Sequence, residues 1–488
     1  MRRFRRTTLI TAGCLAVLAG LGLSRKVSLD LSTWPMLLIA FCLLLLRPKK
    51  ITALLLVVFL GLSLGLWRGS AYMAHVRDLR SLALQQVTIQ ATATSDSIYG
   101  TKSQIQFTAN DAQLISLQGE PLQKGKSLVG SFKLSGFGEH MVYRGDRVQM
   151  SGKLYPTRGS NQATIAYAQL TRVAAGRNWL NDIGRRFSAG MQNALPEPVA
   201  SFAMGLLIGQ RSTMPQDVIT MLTMIGLVHI VAVSGYNVTI LARAAARLKL
   251  PSKYQQLVLS LTLIGGFVLL TGFSASIVRA ALVSLLTLWA WFYGRRIKAV
   301  VLICFAAALT SLLNPFYVWG DPSWYLSFLA FFGVLVIAPV ITQRLFSKQP
   351  KLLTSVLIET LSAEVMTLPL IMMIFGQLSL IALLANLLIV PLVPWAMLLA
   401  AVAGAAGMLA APLAGWFALP ARLLLTYMLD VVHILANIPS EFLHLSISLP
   451  VMLSGYGLVL LVVLAAHRHI KLKNAIITDK KPILASEA

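Results

Sequence analysis

Charged side chains are scarce in this chain of 488 residues, where Asp, Glu, Lys and Arg together make up 12%. Soluble domains carry about 25%. Acidic residues are the scarcest of these, 17 against 42 Lys and Arg, which leaves a formal net charge of +25. With 57% hydrophobic residues and a mean hydropathy of +0.74, the composition excludes a soluble globular protein and indicates a multi-pass membrane protein. Cysteine is nearly absent: Cys14, Cys42 and Cys304 each sit in an apolar run, match no metal-ligand spacing and give the polar segment no disulfide. The seven histidines are scattered, and the close pair His467 and His469 has no acidic neighbour, so no hydrolytic metal site and no cofactor is expected. A nucleotide motif is missing too. Gly119, Gly125, Lys126 and Ser127 imitate a phosphate-binding loop, but five residues separate the glycines where that motif has four.

The basic excess has two readings. Cytoplasmic loops of membrane proteins collect Lys and Arg, which accounts for much of it. A polyanionic partner gains weight only where basic residues also gather on the far side of the membrane.

Arg2, Arg3, Arg5 and Arg6 ahead of an apolar run resemble a signal peptide, yet further apolar runs follow at 34–46 and 51–67 without a clear small-residue cleavage site. A retained cluster of three spans over residues 1–73 is expected, leaving the next segment outside the cytoplasm. That segment, 74–178, alternates with period two around 87–94, 104–107, 128–134 and 147–154. Short strands with Gly and Asp turns over about 100 residues predict a small all-β barrel, with an OB-like fold leading. Its candidate nucleic-acid contacts are Phe132, Lys133, Tyr143, Arg144, Arg147, Lys153 and Tyr155, because single-strand binders combine cations that follow phosphates with rings on which bases stack. An ordinary solvated barrel surface is the competing account.

From residue 179 to 470 the chain is mostly membrane, with runs near 218–242, 255–272, 278–293, 299–313, 324–341, 353–375, 378–411, 413–436 and 449–466. The basic connections 243–253, 294–298, 343–351 and 467–473 are expected inside. The basic-poor connections 272–274, 314–323 and 437–446 are expected outside. The parity works if 378–411, which holds Pro391 and Pro394, is one broken span. Residues 471–488 form a polar cytoplasmic tail.

The run 218–242 is unusual, since His229, Ser234, Gly235 and Asn237 are costly in hydrocarbon unless they face protein or water. In an unbroken helix His229 and Ser234 stand roughly 140° apart and form no dyad. Gly235 permits a break, with Ser234 or Asn237 capping a half-helix whose free N–H groups would meet an anion. A continuous helix whose polar groups satisfy one another is the alternative. Arg279 opens another apolar helix, where snorkelling to the interface and forked phosphate contact both fit. Asn314-Pro315 and Asp321-Pro322 occupy a loop expected to be structural. Glu359 and Glu364 point to different faces of a helix with Pro369 inside it. Asp430 and His433 share a face, and Asn386 precedes Pro391 in a segment suited to lining a cavity.

Several of these residues stand in order and in approximate register with one family. Leu206 to Ser212, Gly226 to Gly235, Arg279 to Leu282, Asn314-Pro315 with Tyr325 to Ala330, and Thr367 to Pro369 followed by Asn386 to Pro391 resemble the ComEC competence proteins over about residues 1–470. The resemblance implies a channel that conducts single-stranded DNA across the cytoplasmic membrane during natural transformation, with an OB-like domain meeting DNA outside. It carries over Arg211, His229, Ser234, Gly235, Arg279, Asn314, Pro315, Ser327, Pro369, Asn386 and Pro391. With Asn237 and Glu364 added from the residues themselves, Gly235 and the polar members of this set form the expected DNA path. Asn237 stands where the family usually has a His, which counts against imidazole chemistry there. Many members end in a metallo-β-lactamase-like domain, and no His-rich metal motif is expected in this chain. The resemblance also implies an external DNA receptor and a cytoplasmic ATP-dependent translocase as partners. The expectation is a carrier and not an enzyme. Two rivals are a secondary transporter of a small or lipidic anion and an intramembrane serine hydrolase built on Ser234.

Overall fold

The computed structural model of the chain describes residues 5–27, 51–99, 104–137, 142–156, 161–174, 176, 179–210, 213–231, 238, 251–271, 275–295, 298–346, 350–376, 380–438 and 446–480. The expected span at 34–46, together with Arg211, Ser234, Gly235 and Asn237, lies outside the described residues. Two units account for the rest, 1–216 with 229–325 and 396–426, and 217–228 with 326–395 and 427–488. Among the described residues, six helices are long and apolar enough to cross a membrane. The expected spans at 278–293 and 299–313 form shorter apolar helices.

The first unit begins with α1 (Arg6–Leu23) and α2 (Ile51–Ser81). Their seam is built from small residues. A Cβ on Gly20 would collide with the carbonyl of Leu62, one on Gly65 with the carbonyl of Val17, and one on Gly61 would come within 2.6 Å of the Gly13 carbonyl. Gly61, Gly65 and Gly69 recur every four residues on one face of α2, so the backbones approach more closely than side chains would allow, as small residues permit in membrane helix pairs. Arg68 on the same helix donates from Nε to the carbonyl of Leu312 (2.9 Å) and from Nη2 to that of Leu313 (3.2 Å). A helix leaves its last carbonyls without intrahelical partners, and these two lie in the final turn of a helix described below.

α2 runs on to Ser81 and delivers Leu79 and Leu82 into the core of a β domain. Its strands are β1 (Gln86–Ala93), β2 (Ile98–Tyr99), β3 (Ile105–Leu117), β4 (Glu120–Leu128), β5 (Phe132–Phe137), β6 (Arg147–Pro156) and β7 (Ala163–Ala174). Residues 74–81 of the segment expected to be barrel therefore belong to the helix. β1 pairs with β3, β3 with β5, β5 in parallel with β7, β7 with β6, and β6 with β1, so five strands close a ring. The inward set is Val87, Ile89 and Ala91, then Phe107 and Ala109, Phe132 and Leu134, Val148 and Met150, and Ile165; the stretches that alternate in the sequence hold all of these but Ala109 and Ile165. The stretch that imitates a phosphate-binding loop is the turn and second strand of the β3–β4 hairpin.

Asp146 ties the ring to the helix that follows. It is buried, accepts the N–H groups of Tyr143 (2.8 Å) and Gly176 (3.1 Å), and lies 3.6 Å from the Arg185 guanidinium of α3 (Trp179–Ala194). Nearby, the Arg144 N–H donates to Asp96 at 2.9 Å. Burial pushes the Asp96 carboxyl above its ordinary value and the Arg144 guanidinium below its own.

The unit continues through α4 (Val199–Ile208), then resumes after the second unit's first segment. A helix α5 (Gln216–Met224) ends in a Schellman turn, where Leu227 N–H bonds the Leu222 carbonyl (2.7 Å) and Gly226 N–H that of Thr223 (3.1 Å). Gly226 takes φ +73°, and a Cβ there would lie 2.8 Å from Ala382. The short α6 (Val228–Val231) follows. The run 218–242 is therefore not one helix: it turns at Gly226, upstream of Gly235, where a break is one of two readings and which lies outside the described residues.

Beyond it come α7 (Lys253–Thr271), α8 (Ala275–Phe292), α9 (Ala299–Leu313), α10 (Phe316–Gly320) and α11 (Pro322–Phe332). A π-helical turn (Gly333–Ile337) leads into α12 (Ala338–Leu345), then α13 (Leu352–Phe375) with Pro369 inside, and α14 (Leu380–Ile389). The run 378–411 breaks at a 3-10 turn (Val390–Leu392) holding Pro391, before α15 (Val393–Leu409). The last helices are α16 (Ala414–Ala436) and α17 (Leu449–Lys480).

The glycine seam generates a paired test. Gly65→Leu is expected to lower the melting temperature of the full chain in detergent by several degrees. Gly22→Leu, with nothing within 4 Å of its Cβ position, should leave it unchanged. Equal effects at the two positions would refute the close-approach account.

Candidate functional site

The site grows from two Asx-Pro steps. Asn314 ends α9, and its Oδ1 accepts the N–H of Phe316 (3.1 Å). Asp321 does the same for α11, with Oδ1 accepting the N–H of Ser323 (3.0 Å). Asp321 precedes α11, whose first residue is Pro322, the position where a missing N–H costs nothing, whereas Asn314 stands one residue further out, before Pro315 at the N-cap of α10. The segment 314–321 is thus a defined double turn, as its expected structural role requires. Trp324 Nε1 donates to Thr310 Oγ1 (3.2 Å), and the Trp319 indole donates to the Leu21 carbonyl (2.7 Å), fixing that turn against α9 and α1.

This turn closes over Arg279. The residue sits in the second turn of α8 and is 0% exposed. Its Nη2 donates to Ser276 Oγ one turn back (3.1 Å) and to the Ser323 carbonyl (3.1 Å). The guanidinium carbon lies 6.0 Å from the centre of the Tyr317 ring, within cation–π reach. Nε and Nη1 have no partner among the described residues. No carboxylate there comes within ion-pair distance, and Asp321 is engaged by the helix it caps. Snorkelling, one of the two accounts open in the sequence, does not describe this side chain, because its charge is enclosed instead of reaching the interface.

The other path candidates lie apart from this cluster in kind. His229 is exposed on α6, and Ser327 is half-buried on α11. Glu364 on α13 and Asn386 on α14 are brought together in the second unit: Asn386 Nδ2 donates to Glu364 Oε1. That pairing was not foreseen. Asp430 and His433 share a face of α16, but the His433 ring pairs with Asn437 one turn on (3.2 Å).

On the barrel, Lys133, Arg147 and Lys153 are exposed and Tyr155 is half-buried. Lys133 stands opposite Thr164, and Thr164 opposite Tyr155, so these form one outward row across β5, β7 and β6. Tyr143 is exposed, with the Arg185 guanidinium 5.3 Å from its ring centre, and Arg144 is half-buried beside Asp96. Phe132 is a correction: it is 0% exposed and belongs to the barrel core, so its ring is closed to a base. Rings that do face outward nearby are Phe137 on the same strand, 57% exposed, and Tyr167 on β7, 75% exposed. Strand parity held the signal for Phe137, which is five residues from Phe132 and so on the opposite face. Tyr167 gives no such signal, because it sits at a register shift between β6 and β7 with φ +54°.

Comparison with known proteins adds the following. The profile of a family described as "Competence protein" matches residues 206–469. ComE operon protein 3 of Bacillus subtilis (strain 168) is 28% identical over 213 residues, which is 43% of this chain and 27% of that protein. The match thus spans about a quarter of the length of that relative. No solved structure matches the chain.

The Arg279 geometry separates a residue kept for stability from one kept for a ligand. Replacing a poorly satisfied buried charge with an apolar side chain of similar volume is often neutral or stabilising. Arg279→Met is therefore expected to leave the melting temperature of the full chain unchanged or raised. A fall of several degrees would make Arg279 a structural strut.

Proposed function

The chain belongs to the competence protein family, and from that premise we propose that it is a channel conducting single-stranded DNA across the cytoplasmic membrane during natural transformation. The observation that supports this most is Arg279, an enclosed guanidinium with two of its three nitrogens lacking a partner among the described residues. A buried cation left in that state costs several kcal/mol unless a group of opposite charge joins it. A phosphate oxygen supplies that charge and accepts from the planar donor set. A strand that must also leave needs few such contacts, each weak enough to release. Most of the surrounding helices are apolar, which fits a sparse set of contacts.

The five-strand ring is read as OB-like and placed outside the cytoplasm, with Lys133, Arg147 and Lys153 following the phosphates and Tyr143 and Tyr155 offering rings. Phe137 and Tyr167 join them in place of Phe132. Arg211, Ser234, Gly235 and Asn237 remain with His229, Asn314 and Ser327 as candidate path residues. The helical part supplies no motor in this reading, so an ATP-dependent translocase pulls from the cytoplasmic side and a receptor delivers DNA from outside.

Uptake of labelled DNA in a strain deleted for this gene tests the reading. Wild-type complementation should restore uptake. Arg279→Met should reach the membrane and reduce uptake at least tenfold; full uptake by that variant would remove the phosphate contact. For the barrel, binding of single strands by the full chain should weaken steeply with salt. Lys133→Ala with Lys153→Ala should flatten the log–log slope by about 0.7 for each phosphate contact removed. An unchanged slope would return these lysines to a plain solvated surface.

A further inference from the structure

The pairing of Glu364 with Asn386 leaves an imbalance. Asn386 Nδ2 donates to Glu364 Oε1, which satisfies one carboxyl oxygen. Glu364 Oε2 and Asn386 Oδ1 are both shielded from solvent and both lack a partner among the described residues. Asn386 itself is 8% exposed. Two acceptors are thus held within one side-chain pair with no donor for either. With the carboxyl ionised, a full negative charge would stand beside an amide oxygen in apolar surroundings, which is the least favourable arrangement of these groups.

One proton removes the imbalance. On Oε2 it converts an acceptor into a donor, and the remaining acceptor of the pair is the amide oxygen. A carboxylic acid and a primary amide can then join through two hydrogen bonds, N–H to carbonyl and O–H to carbonyl, with every polar atom of the pair engaged. We propose that Glu364 is a proton-binding site, holding a proton in the folded protein at neutral pH and donating it as a hydrogen bond to Asn386 Oδ1.

The surroundings offer no competing neutralisation among the described residues. α13 packs against the π-helical turn, α12, α17 and the 3-10 turn. On these elements the ionisable side chains up to residue 466 are Arg344, which is exposed, and Tyr456, whose hydroxyl donates to the Met366 carbonyl (3.0 Å). α17 also carries His467, Arg468, His469, Lys471, Lys473, Asp479 and Lys480, which begin about 16 Å further along the helix than Tyr456. α13 carries Glu359 on a different face, and α14, the π-helical turn and the 3-10 turn carry none. No ion pair reaches Glu364.

The inference is independent of what crosses the membrane. If nucleic acid does, a neutral acid here spares the strand a repelling carboxylate.

Infrared spectra of the full chain in lipid at neutral pH test it. The carbonyl-stretch band of a protonated carboxyl is expected in the wild type and lost in Glu364→Gln. The Gln amide places N–H where the O–H stood, so this variant should keep the wild-type melting temperature, whereas Glu364→Ala should lose several degrees. A wild type without the band, or a band that persists in Glu364→Gln, overturns the proposal. Should Glu364→Gln fail to fold, Asn386→Leu gives the same decision. The band should move to higher frequency once its hydrogen-bond partner is gone, and an unmoved band overturns the assignment.

Discussion

A guanidinium withdrawn from water is the constraint on which the first unit is organised. Arg279 retains its charge under any ordinary condition, so its enclosure has to be held in place by something more favourable than the hydration it forgoes. What holds it is backbone. The Ser323 carbonyl is aimed at it because Asp321 caps α11, and the Tyr317 ring covers it because Asn314 starts α10 at the right point. Two short polar side chains, each followed by proline, thus shape the lid over the cation, and the Asp321 carboxylate also attracts it from beyond ion-pair distance.

The same logic runs outward from that lid. Trp319 reaches the Leu21 carbonyl of α1, Arg68 of α2 reaches the end of α9, and Tyr72 accepts from Gln162 of the barrel at 2.7 Å. Tyr72 and Trp319 have ring centres 5.8 Å apart. Polar atoms that would otherwise be stranded are joined in series, from the start of β7 to the helix ends beside Arg279. In a largely apolar chain these few bonds set which surfaces meet, since apolar packing alone discriminates weakly between alternatives.

The periodicities were legible from residues alone. Period two exposed the β domain and the inward residues of β1, β5 and β6, but not those of β7 or of β3 beyond Phe107, and proline at 391 marked a real interruption. Other features depend on context that no window of sequence contains. The bend at Gly226 competes with a second glycine nine positions later, and hydropathy ranks neither. The spacing of Gly61, Gly65 and Gly69 was on view, yet glycine is common in membrane helices and its meaning here comes from α1 lying against it. Phe132 was misplaced because an aromatic beside a lysine suggests a surface, whereas its parity with Leu134 sends it inward. Glu364 and Asn386 are 22 residues apart on separate helices, so their partnership is purely tertiary.

α2 is continuous over 31 residues, a rod of about 46 Å that begins among apolar helices and ends inside the barrel core. It contains no proline and no described break. A tug on the barrel therefore has no joint in which to dissipate along this element. The load travels down the rod to Arg68 and is delivered to the carboxyl end of α9, one residue before Asn314. Strain applied to the β domain is expected to reach the rim of the enclosed cation along α2, through Arg68 at the end of α9 and through Tyr72 beside Trp319.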